Sequence, residues 1–495
     1  MRFRICAGLV AAGLAVAGLA VAGLAPELRA QPSVGLQLVG PLPSAAQVAW
    51  QRLELTAFVH FGPNAFTGEE WGSGKERPGI FNPAALDARQ WVRAFKAAGM
   101  KGVIVTAKHH DGFCLWPSRD STHTVAQSPW RGGTGDLLRE LSEAARAEGL
   151  QFGVYLSPWD RNHPQYGTRG YNDVFVRMLE DVLSNYGEIF EVWFDGANGE
   201  GPNGKRQVYD WPRFQEVVRR LQPNALIFSD GGPGVRWIGN ERGEAPITNW
   251  AMLDRDRYLP GTPLSMDLPE GSAIGTHYVP GECDVSIRPG WFWRASENAR
   301  VKSPRALLRL YEASVGRNCG LLLNVPPDDR GLIHDADVAA LAGMRALVDR
   351  IYGRSLLPAA ATASASSVRG GGFEAARVLD RDEDSYWAPV ESAVRPSLTV
   401  DAGAPVTFDR VLLQEYLPAG QQVALFAIEA ETAGRWQRIA AGTTVGHKRI
   451  VAVSPTTAQR VRVTIHSARG VPTLATMALH SSAAADDIAA ASAGH

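Results

Sequence analysis

The sequence predicts an α/β fold, a (β/α)8-like TIM barrel, followed by a C-terminal antiparallel β-sandwich. Three observations predict it. From Leu55 to Tyr352 short β-branched and aromatic runs alternate with amphipathic helical stretches over short connections, the pattern of a parallel sheet with helices outside. Several apolar runs stop abruptly at polar residues, as strands do at the mouth of a barrel, and Val192-Trp193-Phe194-Asp195-Gly196 is the clearest case. Beyond Ala359 the helical period is gone, and short alternating runs separated by turn residues replace it.

Taken in order, Met1 to Ala30 holds Arg2 and Arg4, an Ala/Gly/Leu/Val run from Cys6 to Ala25, and Leu28-Arg29-Ala30 before Gln31. This reads as a secretory signal peptide cut after Ala30, with the mature chain secreted or periplasmic and without stable membrane association. An uncleaved anchor is the alternative, because the run approaches the roughly 20 residues that span a bilayer. The barrel domain then extends over 31–354. Leu55 to Gly62 (LTAFVHFG) is its first strand, and Asp87 opens a helix through Trp91 and Phe95 that Gly99 closes. Gly102 to Thr106 is the second strand, running out into Lys108-His109-His110-Asp111. A helix from Asp136 to Glu148 precedes the strand Gln151 to Leu156, and a helix from Asp173 to Tyr186 precedes the strand that ends at Asp195. A helix from Trp211 to Leu221 leads to the strand Ala225 to Asp230.

Between Gly231 and Arg294 the regularity breaks into a Gly, Pro and Trp-rich stretch, and segments of that length in a compact domain usually carry function. The helix Ser303 to Val315, the strand Leu321 to Val325 and the helix from Asp335 to Tyr352 complete the barrel. Absence of a Gly-rich dinucleotide fingerprint after the first strand weighs against an open doubly wound sheet. The β-sandwich occupies 355–480, entered through Ala359-Ala360-Ala361-Thr362-Ala363-Ser364, and has runs at Ser397–Val400, Arg410–Gln414, Val423–Ala430, Arg449–Val453 and Arg460–Ile465. The Ala/Ser/Asp/Gly tail, 481–495, is expected to be disordered.

With 45% apolar and 20% charged residues over 495 positions, the chain is a well-cored globular protein of two ordered units. A formal net charge of -1 provides no basic field for a polyanion as a whole, so no nucleic-acid partner is expected. Removal of the leader leaves Cys114, Cys283 and Cys319, an odd number at wide spacing that forms no disulfide framework.

On a barrel, the strand ends gather His60, His109, His110, Tyr155, Trp193 and Asp195 at one mouth. Neutral hydrogen-bonding rings beside flat aromatic faces suit a sugar, whose hydroxyls need partners and whose C–H face stacks on indole. Retaining glycoside hydrolysis needs two carboxyls about 5–5.5 Å apart, one attacking and one donating a proton. Asp195 supplies the first. For the second, Glu241 leads because Trp237, Ile238 and Gly239 flank it, with Glu282, Glu70, Asp111 and Glu244 as competitors. His109-His110-Asp111 admits a metal-site reading, but neighbouring residues on a strand point to opposite faces, and no metal or other cofactor is expected.

The barrel resembles the retaining α-L-fucosidases of glycoside hydrolase family twenty-nine. FVHFG (58–62), EW (70–71), KHHDGFCLW (108–116), YLSPWD (155–160), VWFDGANG (192–199), WIGNERG (237–243), GECDVSIRPGWFW (281–293) and LLLNVPPDDRG (321–331) carry the resemblance, in order. It implies Asp195 as nucleophile, a fucose-binding shell of His60, His109, His110, Tyr155 and Trp193, and Glu70 and Trp71 on the same sugar. WIGNE is similar to the motif of the subfamily acting on branched α-1,3/1,4-linked fucose, which implies Glu241 as acid/base and a fucosylated oligosaccharide or glycoconjugate as substrate. The same resemblance implies Glu282, Arg288, Trp291 and Trp293 along the leaving-group side. LDRDEDSYWAP (379–389) resembles discoidin and coagulation-factor type C modules, which often bind carbohydrate or calcium; a structural calcium or a purely architectural role is implied. A fucose-binding lectin on an inactive barrel, or another retaining glycosidase specificity, are the competing functions.

Overall fold

The computed structural model describes Leu36, residues 38–261 and residues 268–485. The expected signal peptide and the tail from 486 onward lie outside the described residues. Eight parallel strands close a barrel in sequential order: β1 (Leu55–Val59), β2 (Gly102–Lys108), β3 (Gln151–Leu156), β4 (Glu191–Trp193), β5 (Leu226–Ser229), β6 (Val235–Trp237), β7 (Gly281–Ser286) and β8 (Cys319–Asn324), which pairs back onto β1. The stretch expected to be irregular thus contributes two of the eight strands. β6 is only three residues long and follows β5 without a helix, and β7 carries Glu282 and Asp284 where an apolar run would have revealed it.

The outer helices start where capping chemistry places them. Asp87 accepts from the backbone N–H groups of Arg89 and Gln90 at 2.9 and 3.2 Å, opening Ala88–Ala97. Asp136 caps Leu137–Glu148 in the same way, and that helix ends on left-handed Gly149. Their apolar stripes meet the outward residues of the strands in one core that includes Trp91, Phe95, Val103, Val105, Leu141, Val154, Phe175 and Val192. The inward residues form a second layer in which Phe58, Ile104, Tyr155, Trp193, Phe228 and Leu322 stack above Trp50. That layer fills the barrel and leaves its C-terminal mouth as the open end.

Beyond the helix Asp335–Tyr352 the chain enters the antiparallel β-sandwich at Thr362–Ala365. The runs expected as separate strands are joined: Ser397–Gln414 and Arg449–Ala468 are each one long strand, broken only by register shifts. Trp387, Phe408, Phe426, Ile428 and Val463 form its core. Part of the tail expected to be disordered is ordered, since Ser482–Ala485 form a short 3₁₀ turn anchored by the Ser482 N–H on Asp409 Oδ1 at 2.7 Å. Cys114, Cys283 and Cys319 are free, buried thiols.

Buried polar contacts fix the β-sandwich to the barrel. Glu54, just before β1, pairs with Lys448, accepts from Tyr311 Oη at 3.1 Å and lies 2.9 Å from His447 Nε2. Burial alone would raise the Glu54 pKa, but Lys448 and His447 together outweigh it and hold the carboxyl well below its ordinary range. Its contribution to stability is therefore fully present above the ordinary carboxylate pKa and is lost as the pH falls from there through the lowered value of the folded state. Lys448→Met strands that charge, and chemical denaturation at neutral pH is expected to show a loss of about 3 kcal/mol, which shrinks in acid. An unchanged midpoint at neutral pH would show that the pair does not hold the domains together.

Candidate active site

The mouth of the barrel is built from residues just past the strand ends. His60 follows β1, and its Nδ1 and backbone N–H lie 2.9 and 3.2 Å from Asn324 Oδ1 at the end of β8. His109 and His110 follow β2, with ring centroids 4.2 Å apart. His110 Nδ1 lies 2.7 Å from Ser157 Oγ, and its Nε2 lies 3.6 Å from Asp195 Oδ2. Burial pushes the His60 pKa down to about 3 against the Asn324 contact, and burial pushes His110 down to about 4 against the Asp195 charge. His109 is held well below its ordinary value by burial and then by His110 and His60. At neutral pH all three rings are uncharged, each able to donate and accept toward hydroxyls.

Asp195 lies two residues past β4. Tyr155 Oη donates to its Oδ2 at 2.9 Å, and the Ala197 N–H donates to its Oδ1 at 2.7 Å, so each oxygen is oriented while a quarter of the side chain, 26%, stays accessible. Burial and the Asp195 charge push the Tyr155 pKa well above its usual value, which keeps that phenol a donor. Gly196 is required by packing, because a Cβ there would sit 2.4 Å from the Gly261 backbone nitrogen. Trp193 forms the floor, stacked on Phe228 at 3.9 Å and on Tyr155 at 5.4 Å. Trp71, 55% exposed, stands edge-on to His110 and Trp159 at the rim.

Glu241 enters from the turn after β6 at the solvent edge of the site. Partial burial raises its pKa, the Trp291 side chain lowers it, and the charges of Asp195 and Glu70 raise it again. The Asp195 charge therefore acts on Glu241, 46 positions away in sequence. Trp291 packs against His60 at 5.0 Å. Glu70 fastens this segment by accepting from the Trp291 N–H at 2.6 Å and pairing with Arg294.

Two expected leaving-group residues are elsewhere. Arg288 is 1% exposed, its Nε donating to Asp337 at 3.0 and 3.2 Å, its Nη2 also to Asp337 and its Nη1 to Asn298 at 2.9 Å, so the guanidinium is buried against protein acceptors and not open to a sugar. Glu282 is 1% exposed in the layer beneath Trp193, accepting from that indole at 3.0 Å and bonded to the buried Glu191. Its place on the inward face of β7 puts it under the floor rather than on it. Trp293 Nε1 donates to Asn298 at 3.2 Å, beside Arg288. Of the competing acids, Asp111 is buried and accepts from the Phe113 N–H at 2.7 Å. If Arg288 is structural, Arg288→Leu should destabilise the fold by about 3–5 kcal/mol, as for one partner of a buried ion pair, with KM for an aryl fucoside nearly unchanged. A large KM increase in a variant of native stability would restore Arg288 to the substrate.

Other residues at the mouth carry less sequence signal. Asn324 and Ser157 orient His60 and His110, and both directly end apolar strand runs, the signal that identified Asp195. Phe292 packs 5.5 and 5.1 Å from His60 and His109 and resembles any core aromatic in sequence. Asp284, two residues after Glu282 on the same inward face, accepts from Trp237 Nε1 at 2.8 Å; burial first, then the charge of Glu241, pushes its pKa up to about 8.

Residues 50–351 match the family described as Alpha-L-fucosidase, and residues 361–478 match the F5/8 type C domain. Alpha-L-fucosidase 1 of Arabidopsis thaliana is 42% identical over 447 residues, covering 89% of this chain and 87% of that one. The structure of a Ruminococcus gnavus GH29 fucosidase in complex with fucose superposes with a TM-score of 0.84 at 31% identity, covering 90% of this chain and 96% of that one. The fold, the mouth of imidazoles and indoles and these matches agree: the chain belongs to the α-L-fucosidase family of glycoside hydrolases and carries a C-terminal F5/8 type C domain.

Proposed function

We propose that this α-L-fucosidase is a retaining exo-enzyme that releases L-fucose from α-1,3/1,4-linked fucosylated glycans, with Asp195 as nucleophile and Glu241 as acid/base. The observation that carries the reading is the pairing of an oriented, partly open carboxylate with a second carboxyl whose proton affinity is raised across the same mouth. Asp195, aimed by Tyr155 and Ala197, attacks the anomeric carbon while Glu241 protonates the departing oxygen. Glu241 then takes a proton from water, which displaces Asp195 and frees fucose with its configuration retained.

The neutral rings of His60, His109 and His110 hold the sugar hydroxyls, and Trp193 closes the pocket below so that a terminal residue fits. Trp71 and Trp291 flank the entrance. No step calls for a cofactor. Export as a secreted or periplasmic enzyme belongs to the same proposal, and cell fractionation tests it. For linkage, free fucose should be released from 3- and 4-fucosylated trisaccharides roughly ten-fold or more faster than from a 2-fucosylated one, a discrimination within reach of ordinary leaving-group contacts. Equal rates would remove the linkage assignment and leave the fucosidase.

A further inference from the structure

A cleft of about 690 Å³ runs along the junction of the barrel and the β-sandwich. Six basic side chains line it, Arg242, Lys302, Arg309, Arg317, Arg410 and Arg449, against the acidic Glu244 and Glu312. Glu312 is engaged by Arg410 at 3.0 Å and by the Tyr352 hydroxyl. In a chain with a formal net charge of -1 this is a local concentration of positive charge.

Arg317 and Arg449 are joined by a backbone bridge. Arg317 Nη1 donates to the Ala245 carbonyl at 2.7 Å and Arg449 Nη1 to the Ile247 carbonyl at 2.8 Å; among the described residues neither has a carboxylate partner. Arg449 is 7% exposed, and its Nε has no hydrogen-bond partner. Burial and then the Arg317 charge push the Arg449 pKa down to about 10. Two guanidinium groups held together without a countercharge oppose folding, and an anion in the cleft would offset that cost.

We propose that this cleft binds the oxyanion groups, sulfate ester or carboxylate, of an acidic oligosaccharide. Guanidinium forks match the planar or tetrahedral oxygens of both groups. Assignment to a glycan rests on the reading of Glu241 above, because Arg242, the next residue along the chain, is among the side chains that line the cleft.

Calorimetric titration of the full chain at low salt tests it, with a sulfated dextran oligosaccharide, an oligogalacturonate, neutral dextran and inorganic sulfate as probes. The charged oligosaccharides should bind, the tighter one identifying the anion, with affinity falling as salt rises. Arg317→Ala should weaken binding roughly ten-fold, as expected for loss of a charge-assisted pair. Arg309→Glu, at an exposed position, is the second variant, with its melting temperature checked against the parent, and should weaken binding at least as much. Equal binding of neutral dextran, binding of inorganic sulfate alone, or no effect of Arg309→Glu would overturn the proposal. Because turnover is not measured, failure here leaves the fucosidase reading standing, and a wrong Glu241 assignment would leave anion binding intact.

Discussion

Asp195→Ala is expected to lower kcat for an aryl α-L-fucoside by about 10⁴-fold or more, the scale of losing a nucleophile while binding and electrostatic stabilisation remain. The fold should survive. The side chain is partly open, and its removal deprives only Tyr155 Oη and the Ala197 N–H of their acceptor, a cost of about 1–3 kcal/mol for each donor left buried and unpaired. Added azide can enter the space left by the carboxylate and attack from its side, so the rescued product should be the β-L-fucosyl azide. Asp230, at the next strand end, is the natural control. It accepts from the Gly261 N–H at 2.8 Å, and burial first, with a contribution from the Asp195 charge, pushes its pKa up to about 6. Loss of turnover in Asp230→Asn but not in Asp195→Ala, or no azide product, would transfer the nucleophile's role away from Asp195.

Asp195 was legible in the sequence because barrel strands have a strong local signal: three apolar residues, then a carboxylate, then glycine. The same rule places His60, His109, His110, Tyr155 and Trp193 at one mouth, and the structure brings them together. The rule fails where the inward face of a strand is itself polar. β7 places Glu282 and Asp284 inside the barrel, each bonded to a tryptophan on another strand, Trp193 and Trp237. Such pairs compensate buried carboxyls only in three dimensions, so neither the strand nor the burial of Glu282 could be read from one segment. Arg288 fails for the same reason, since its partner Asp337 lies on the last barrel helix, 49 positions away. Three of the six β-sandwich strands are legible in the sequence but cut short, because bulges within long strands resemble turns at the level of composition, and Thr362–Ala365, Arg435–Gly442 and Thr476–His480 go unread.

Glu241→Ala should separate the two halves of the proposed cycle. With poor leaving groups, including the natural glycan, loss of the proton donor is expected to lower kcat/KM by about 10²–10⁴-fold. With an acidic phenol as leaving group the first step needs little help, and the remaining defect lies in attack by water. Azide, needing no base, should relieve that defect by reaching the fucosyl intermediate from the opposite side, giving the α-L-fucosyl azide. The pH dependence has a definite sign. Glu241 must be protonated for the first step, so activity falls as pH rises through its pKa, and partial burial together with the Asp195 and Glu70 charges moves that alkaline limb upward. Trp291 opposes the shift, so Trp291→Phe should move the limb higher still, whereas Glu241→Gln should abolish it. Once Asp195 is esterified its negative charge is gone, the affinity of Glu241 for a proton drops, and the same carboxyl becomes the base the second step requires. An alkaline limb that persists in Glu241→Gln, with equal losses across a series of leaving groups, would place the acid on another carboxyl. Asp284 is then the one to test, because its pKa is raised beside Glu241 and its Oδ1 already accepts from Trp237.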